Sequence, residues 1–308
     1  MSTIEIVGFR REHREQLTDL VNAHIAAVVP GWAVSTATVL SHLERDPGEY
    51  VVGPWVRERK TLVATERDRV VAAALLRRYG DDERMTTEFR NAGEIAWLVC
   101  WPEHLAAGVA LADACVEQLD RWNVAAQWCD CSLPTPTTYG LPDAWGHLRH
   151  ILERVGFSAA DGHDEFHWAG ALDAVPPPGL PPIEGLTIRR SVGNMATRFA
   201  AHLDECQPIA YFHLATDMTN GGALSAFAGW ADVWELHVEE PYRRRGIGTW
   251  IVRHGVAWAR LGRCDRILLT LSEEDLAAGV PEFLQSFSWQ QINRTRRGWT
   301  RQPRRITT

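Results

Sequence analysis

Apolar residues recur along this chain at two spacings, and the switch between them divides it into strands and helices. Short apolar stretches at Ile4-Glu-Ile-Val7, Thr61-Leu-Val-Ala-Thr65, Val70 to Leu76 and Glu94 to Trp101 read as strands, the middle two forming a hairpin with a turn at Arg67-Asp-Arg69. The stretches from Arg11 to Val29 and from Pro102 through Arg121 carry the three- and four-residue spacing of helices. Residues 176–182, Pro-Pro-Pro-Gly-Leu-Pro-Pro, suit neither helix nor central strand and predict a stiff linker. Beyond it, Leu186–Arg190 reads as a strand, Asn194–Glu205 as a helix, and 208–217 and 223–238 as strands. The last of these alternates through Val233, Leu236 and Val238 before Pro241 stops it. Ile247, Trp250, Ile251, His254, Trp258 and Leu261 then lie on one helical face, with Gly262 placed to end the helix, and Arg266–Leu271 is a further strand.

The pattern repeats. A shift of 138 residues brings Glu94 onto Asp232, Cys100 onto Val238, Gly108 onto Gly246 and Ala110 onto Gly248. Further on, Leu152-Glu-Arg-Val-Gly-Phe157 corresponds to Leu284-Gln-Ser-Phe-Ser-Trp289. With 308 residues, two domains of similar build are expected: 1–174, a proline-rich linker at 175–184, and 185–308.

The junction of strand and helix at 238–249 carries the chemistry. Glycines 246 and 248 bare the backbone where the helix begins. Its unpaired N–H groups and the positive end of its dipole face one spot beside Arg243, Arg244 and Arg245, an arrangement that binds phosphate. The segment resembles the pyrophosphate loop of the GNAT superfamily of acyl-CoA N-acyltransferases, Arg/Gln-x-x-Gly-x-Gly/Ala, with Arg243, Gly246 and Gly248 in the fixed positions. The resemblance implies an α+β fold of two tandem GNAT-like domains, each a mixed, mostly antiparallel sheet flanked by helices. Mycothiol synthase shares this arrangement, and Gly140-Leu-Pro-Asp-Ala-Trp145 and Arg297-Gly-Trp-Thr-Arg301 are similar to segments of bacterial tandem GNAT proteins. It implies acetyl-CoA as acyl donor, held by Arg243, Arg244, Arg245, Gly246, Ile247, Gly248 and Thr249, with Ser272 against the pantetheine. The backbone of Leu236, His237 and Val238 would supply amides to the pantetheine and thioester.

In the first half Leu105 stands where the motif has arginine, and Ala106 and Ala107 replace two further basic residues. Losing such cations forfeits charge-assisted hydrogen bonds of about 1.5–3 kcal/mol each, so that half is expected to be degenerate for CoA binding.

Acetyl transfer needs a base for the incoming ammonium. Asp232 lies six residues before Val238, where several GNAT enzymes carry a catalytic glutamate. Glu235 is the rival; in a regular strand it faces away from Asp232, and a bulge would reverse that. The tyrosine that often protonates the leaving thiolate is missing, its place held by Leu284, and by Leu152 in the first half.

Composition trims the alternatives. Net charge is −7, against a dedicated nucleic-acid binder, although thirteen arginines and five acids follow from Arg243 onward, a bias that suits CoA phosphates. No apolar run approaches the ~20 residues that span a bilayer, and the N-terminus lacks a signal peptide's apolar stretch, so a cytoplasmic protein without membrane association is expected. Six cysteines lack zinc spacing and read as reduced thiols, with no metal expected; His147 and His150 read as surface residues. The reading is an acetyl-CoA-dependent N-acetyltransferase acting on the primary amine of a small molecule, as a monomer or homodimer. The alternatives are a non-catalytic acyl-CoA-binding or sensory module, and an acetyltransferase of a protein or peptide amine.

Overall fold

A computed structural model describes residues 3–44, 55–135, 139–160, 164–193, 196–204, 207–219 and 227–303. The chain forms two compact units, Met1–Glu165 with Asn293–Thr308, and Phe166–Ile292. This differs from the expected partition of 1–174 and 185–308. The proline-rich segment is part of the second unit, where a helix there, α5 (Ile247–Leu261), supplies the donors that its carbonyls need. Trp250 Nε1 donates to Gly179 O at 3.1 Å, and Arg260 Nη2 donates to Val175 O at 2.8 Å.

In the first unit a meander β1 (Ile4–Gly8), β2 (Val56–Glu66), β3 (Arg69–Tyr79) and β4 (Ala92–Cys100) is antiparallel throughout. Helices α1 (Arg14–Val28) and α2 (Thr36–Glu44) come between β1 and β2, and α3 (Leu105–Arg121) connects β4 to a parallel neighbour, β5 (Ala126–Cys129). Hydrogen bonds assign the helices to faces. Lys60 Nζ donates to Gln118 of α3 at 2.6 Å, whereas Arg77, cross-strand from Arg59, donates to His42 of α2 at 3.1 Å. Adjacent strand residues 59 and 60 point oppositely, so α2 and α3 cover opposite faces. After β6 (Leu141–Pro142), α4 (Gly146–Arg154) and β7 (Ser158–Ala159), the chain's last strand returns to complete this sheet between β5 and β7. That strand is Trp299–Arg301, and its Arg301 is fixed by Asp120 at 3.2 Å and by the carbonyl of Val155 at 3.1 Å. The two sequence signatures meet here: Arg297 pairs with Asp130 and Glu165, and its side chain lies against Gly140.

The second unit orders its strands β8 (Asp164–Ala171), β13 (Arg266–Leu271), β12 (Trp230–Val238), β11 (Ala210–Ala215), β10 (Thr197–Leu203) and β9 (Leu186–Val192). Short helices α6 (Glu273–Ala277) and α7 (Val280–Gln285) precede β14 (Gln290–Arg296), and the closing strand 299–301 is β15. The expected helix at Asn194–Glu205 is instead β10. It pairs along both edges, with β9 and β11, and buries Phe199 and Ala201 in the core; this pairing overrides the alanine-rich local preference for helix. Among the described residues this unit therefore has no helix between its first two hairpin strands, where the first unit has α1 and α2. Strands expected at 208–217 and 223–238 narrow to β11 and β12, and residues 220–226 lie outside the described residues.

Beneath these differences the repeat holds to the residue. Between β11 and β12 the register slips at His213/Leu214, with Glu235 opposite His213 and Val233 opposite Leu214, leaving Trp234 as a bulge. Between β3 and β4 it slips at Leu75/Leu76, with Trp97 opposite Leu75 and Ile95 opposite Leu76, leaving Ala96. Each bulge thus occupies the same place in its half.

Helix α5 packs on the face of β11 that carries Phe212. A Cβ on Gly255 would lie 2.3 Å from the Phe212 ring. Gly255→Ala is expected to destabilise the protein by about 1–3 kcal/mol in thermal or urea unfolding. Alanine's advantage in a free helix, about 1 kcal/mol, acts in the opposite direction. An unchanged or raised melting temperature would contradict this packing.

Candidate active site

Strands β12 and β13 run parallel only from Trp230–Val233 against Arg266–Leu269. Beyond that point β12 continues to Val238 with no strand partner on this side among the described residues. A cleft of about 620 Å³ opens between the strands, walled by Val233 to Val238, the loop after them, Leu269–Leu271 and α7. Glu239 N–H donates to Ile209 O at 2.9 Å, which fixes the alternation along β12. The N–H of His237 therefore turns to β11, and those of Leu236 and Val238 turn to the cleft. Of the three amides proposed from sequence, two are placed to meet a ligand and His237 is committed to the sheet.

At the far end the loop turns into α5. Gly246 is the N-cap in left-handed conformation, φ +80°, which a side chain would strain. The first helical hydrogen bond is Trp250 N–H to Gly246 O, so the N–H groups of Ile247, Gly248 and Thr249 have no helical acceptor. A Cβ on Gly248 would meet Val238 and Phe283 at an ordinary 3.6 Å, which fits the motif's tolerance of alanine there. Arg243, Arg244, Gly246, Gly248 and Thr249 all line the cleft, and Arg243 Nε ties the loop to the strand through Val238 O at 2.9 Å. The residues present fit a diphosphate: free amides at a helix start, two arginines and a glycine cradle.

Three expected contributors lie elsewhere. Ile247 buries its side chain in the core and leaves only its backbone, and Arg245 is exposed away from the cleft wall. Ser272 caps α6: its hydroxyl accepts from Asp275 N–H at 3.2 Å and donates to the Asp275 carboxylate at 2.8 Å. A Ser-x-x-Asp capping box, legible in the sequence, explains that serine without a ligand.

The bulge at Trp234 decides the carboxylates. Asp232 stands opposite Ala215 and Glu235 opposite His213, and residues 213 and 215 share a face, so Asp232 and Glu235 do too. That face is opposite α5. Burial pushes the Asp232 carboxyl up to about 6, against an opposing hydrogen bond from the Trp234 side chain. Glu235 is engaged: Tyr211 Oη donates to it at 2.9 Å and His213 Nδ1 lies 3.3 Å away. Tyr211 also stacks on His237, ring centroids 5.1 Å apart, and supports Arg198 at 4.9 Å. Sequence reasoning missed this aromatic group, whose members come together only through the register of three strands. Leu284 lines the cleft, fully buried and without a hydroxyl.

The first unit has the same strand, bulge and helix, with the helix start packed by side chains. The N–H of Cys100 points at His24 Nε2 (3.4 Å), and His147 Nε2 donates to Cys100 O at 2.9 Å. Thus His147, expected at the surface, is half-buried against the strand. Burial pushes His24 down to about 4, so the ring stays neutral and accepts. A Cβ on Gly108 would fall 2.5 Å from Ile151 and 2.8 Å from the Cys100 sulfur, so side chains fill the space at this helix start. Glu94, the counterpart of Asp232, is buried; Tyr79 Oη donates to it at 2.7 Å, and Arg77 forms an ion pair with it at 3.6 Å. Among the described residues no group of histidines, cysteines and acids could hold a metal. No helix among them is long and apolar enough to cross a membrane.

Two such sheets in one chain, one of them with a splayed strand beside a glycine-opened helix start, define a tandem GNAT fold. Residues 185–279 match the model of the Acetyltransferase (GNAT) family, so the chain carries a GNAT acetyltransferase domain there, and acetyl-CoA is the acyl donor that this family uses. The fold is similar to a tandem GNAT protein from the clavulanic acid biosynthesis pathway: TM-score 0.61, 14% identity, covering 99% of this chain and 100% of that one. It is also similar to a GCN5-related N-acetyltransferase from Sphaerobacter thermophilus, with TM-score 0.59 and 14% identity over 99% and 98% of the two chains. A third likeness, TM-score 0.59 at 14% identity over 97% of this chain, is to 38% of a fungal multi-domain GH3 β-N-acetylglucosaminidase containing a glucosamine N-acetyltransferase region. No curated protein sequence matches.

The Asp232 carboxyl offers a check that needs no ligand. Its pKa is raised on folding, so its contribution to stability is full below the unfolded value of about 3.9 and is lost as pH rises through about 6. Asp232→Asn cannot ionise. The variant is expected to be more stable than the parent above pH 6 in thermal unfolding, the gap closing towards pH 4. A gap that is independent of pH would place Asp232 in a solvated setting.

Proposed function

We propose that this chain is an acetyl-CoA-dependent N-acetyltransferase of a small-molecule primary amine, with its second unit as the catalytic one. The observation that carries the reading is the open edge of β12, where the amides of Leu236 and Val238 face a cleft that ends at the start of α5. Acetyl-CoA bound there would supply an activated acetyl group. The amides 247–249 with Arg243 and Arg244 would hold its diphosphate, and the two β12 amides would hold the pantetheine and polarise the thioester carbonyl.

Asp232 is assigned the general base. A carboxylate with a pKa near 6 is mostly ionised at neutral pH and still basic enough to take a proton from an ammonium, directly or through one water. Glu235 lies on the same face but already accepts from Tyr211 and faces His213, which suits it to hold the cationic acceptor. The first unit is assigned a supporting role without CoA, because His24, His147, Cys100 and Ile151 occupy the groups and space that the second unit leaves free.

The hydroxyl missing at Leu284 favours a second reading, a non-catalytic acyl-CoA-binding module. The two separate on turnover. Titration calorimetry is expected to give one acetyl-CoA per chain, weakened about ten-fold or more by Arg243→Ala, as fits the loss of a charge-assisted contact. Two sites would refute the assignment of the first unit. Thiol release over a panel of amines is then expected to rise with pH along a limb near 6 and to fall about 10²–10⁴-fold in Asp232→Asn. Tight binding with no thiol release from any amine would favour the module.

A further inference from the structure

The last residue of β13 paired with β12 is Leu269, and the next one, Thr270, is exposed on the cleft wall where the two strands part. Its face is fixed by register. Leu268 pairs with Asp232, and Thr270 is two residues on, so Thr270 shares the sheet face of Asp232 and Glu235. Thr270 also pairs across to His167 of β8, whose Nδ1 lies 3.0 Å from the Thr270 hydroxyl. His167 is 1% exposed, and burial holds it in the neutral form, down to about 4. The core under α5 is built from the opposite face, with Leu269, Leu271 and Trp168.

We propose that the Thr270 hydroxyl donates a hydrogen bond to the leaving sulfur of the thioester, and that His167 orients it by donating Nδ1–H to its oxygen. This rests on acetyl-CoA occupying the β12 cleft. It fills the gap at Leu284: the group facing the sulfur comes from β13 and not from the last helix. As the amine attacks, Asp232 takes one proton from the ammonium. The C–S bond breaks with its electron pair going to sulfur, and the second nitrogen proton passes through water to the thiolate. Thr270 keeps its own proton throughout and shares the developing charge. Thr270 is then a catalytic residue and His167 a positioning residue. Other titratable groups on that sheet face are Asp232 and Glu235 of β12 and His213 of β11, and Glu235 lies on the cleft wall together with Asp275 of α6.

The test uses free CoA and needs no knowledge of the acceptor. The thiol of bound CoA is titrated by its ultraviolet thiolate absorbance against a blank of protein with desulfo-CoA. Thr270→Val, close in shape, is expected to raise the bound thiol's pKa by about one to two units, the size of a hydrogen bond to a charged group. CoA affinity at low pH should stay unchanged, and Thr270→Ser should restore the parent value. His167→Leu is expected to give a similar rise that is not additive with Thr270→Val, while His167→Asn, which keeps an N–H near the Nδ1 position, recovers part of it. An unmoved thiol pKa in Thr270→Val with CoA still bound would overturn the proposal. So would a rise that Thr270→Ser fails to reverse. Absence of CoA binding by the parent protein would instead refute the acetyl-CoA reading beneath it.

Discussion

Everything specific to the cleft follows from where β12 stops pairing with β13. Four residue pairs hold the strands together, and then β12 runs on to Val238 with one edge bare. Unpaired amides in a protein are costly unless water or a ligand meets them, and here they face an opening. The bulge at Trp234 lies at the parting and has two effects. It adds local twist, which helps the strand to leave its neighbour, and it shifts the side-chain parity so that Asp232 and Glu235 look the same way. One inserted residue thus sets which side chains share a face along the opening.

The two halves show how a common scaffold is opened or filled by a few side chains. Both have the bulge, the parallel pair and a glycine in the first turn of the following helix. In the first unit, two histidines meet the backbone of Cys100, and Ile151 and the Cys100 sulfur close on Gly108. Its buried Glu94 is clasped by Tyr79 and Arg77, where Asp232 takes a hydrogen bond from the Trp234 side chain. Among the described residues the second unit has no helix between β9 and β10, and its open cleft and arginines carry the proposed chemistry.

Much of this was legible because it rests on local rules. Glycine spacing, the arginine run, helix α5 and the 138-residue repeat depend on neighbours in sequence. Apart from Ser272, whose capping box with Asp275 is local, the differences depend on distant partners. β10 is alanine-rich and became a strand because two other strands pair with it. The proline-rich segment joined the second unit because Trp250 and Arg260 donate to its carbonyls. His237 was a reasonable amide donor until a hydrogen bond from Glu239 to Ile209 fixed which N–H groups face inward. Tyr211 had no positional claim until β11 brought it beside Glu235.

The central claim is that Leu236 and Val238 offer free backbone N–H groups to acetyl-CoA while His237 does not. Residue-resolved amide hydrogen exchange tests it directly. Without ligand, Leu236 and Val238 are predicted to exchange fast and His237 slowly, and saturating acetyl-CoA should slow the first two and leave the Cys100 segment unchanged. Slow exchange at all three without ligand, or protection appearing around Cys100 instead, would contradict the account.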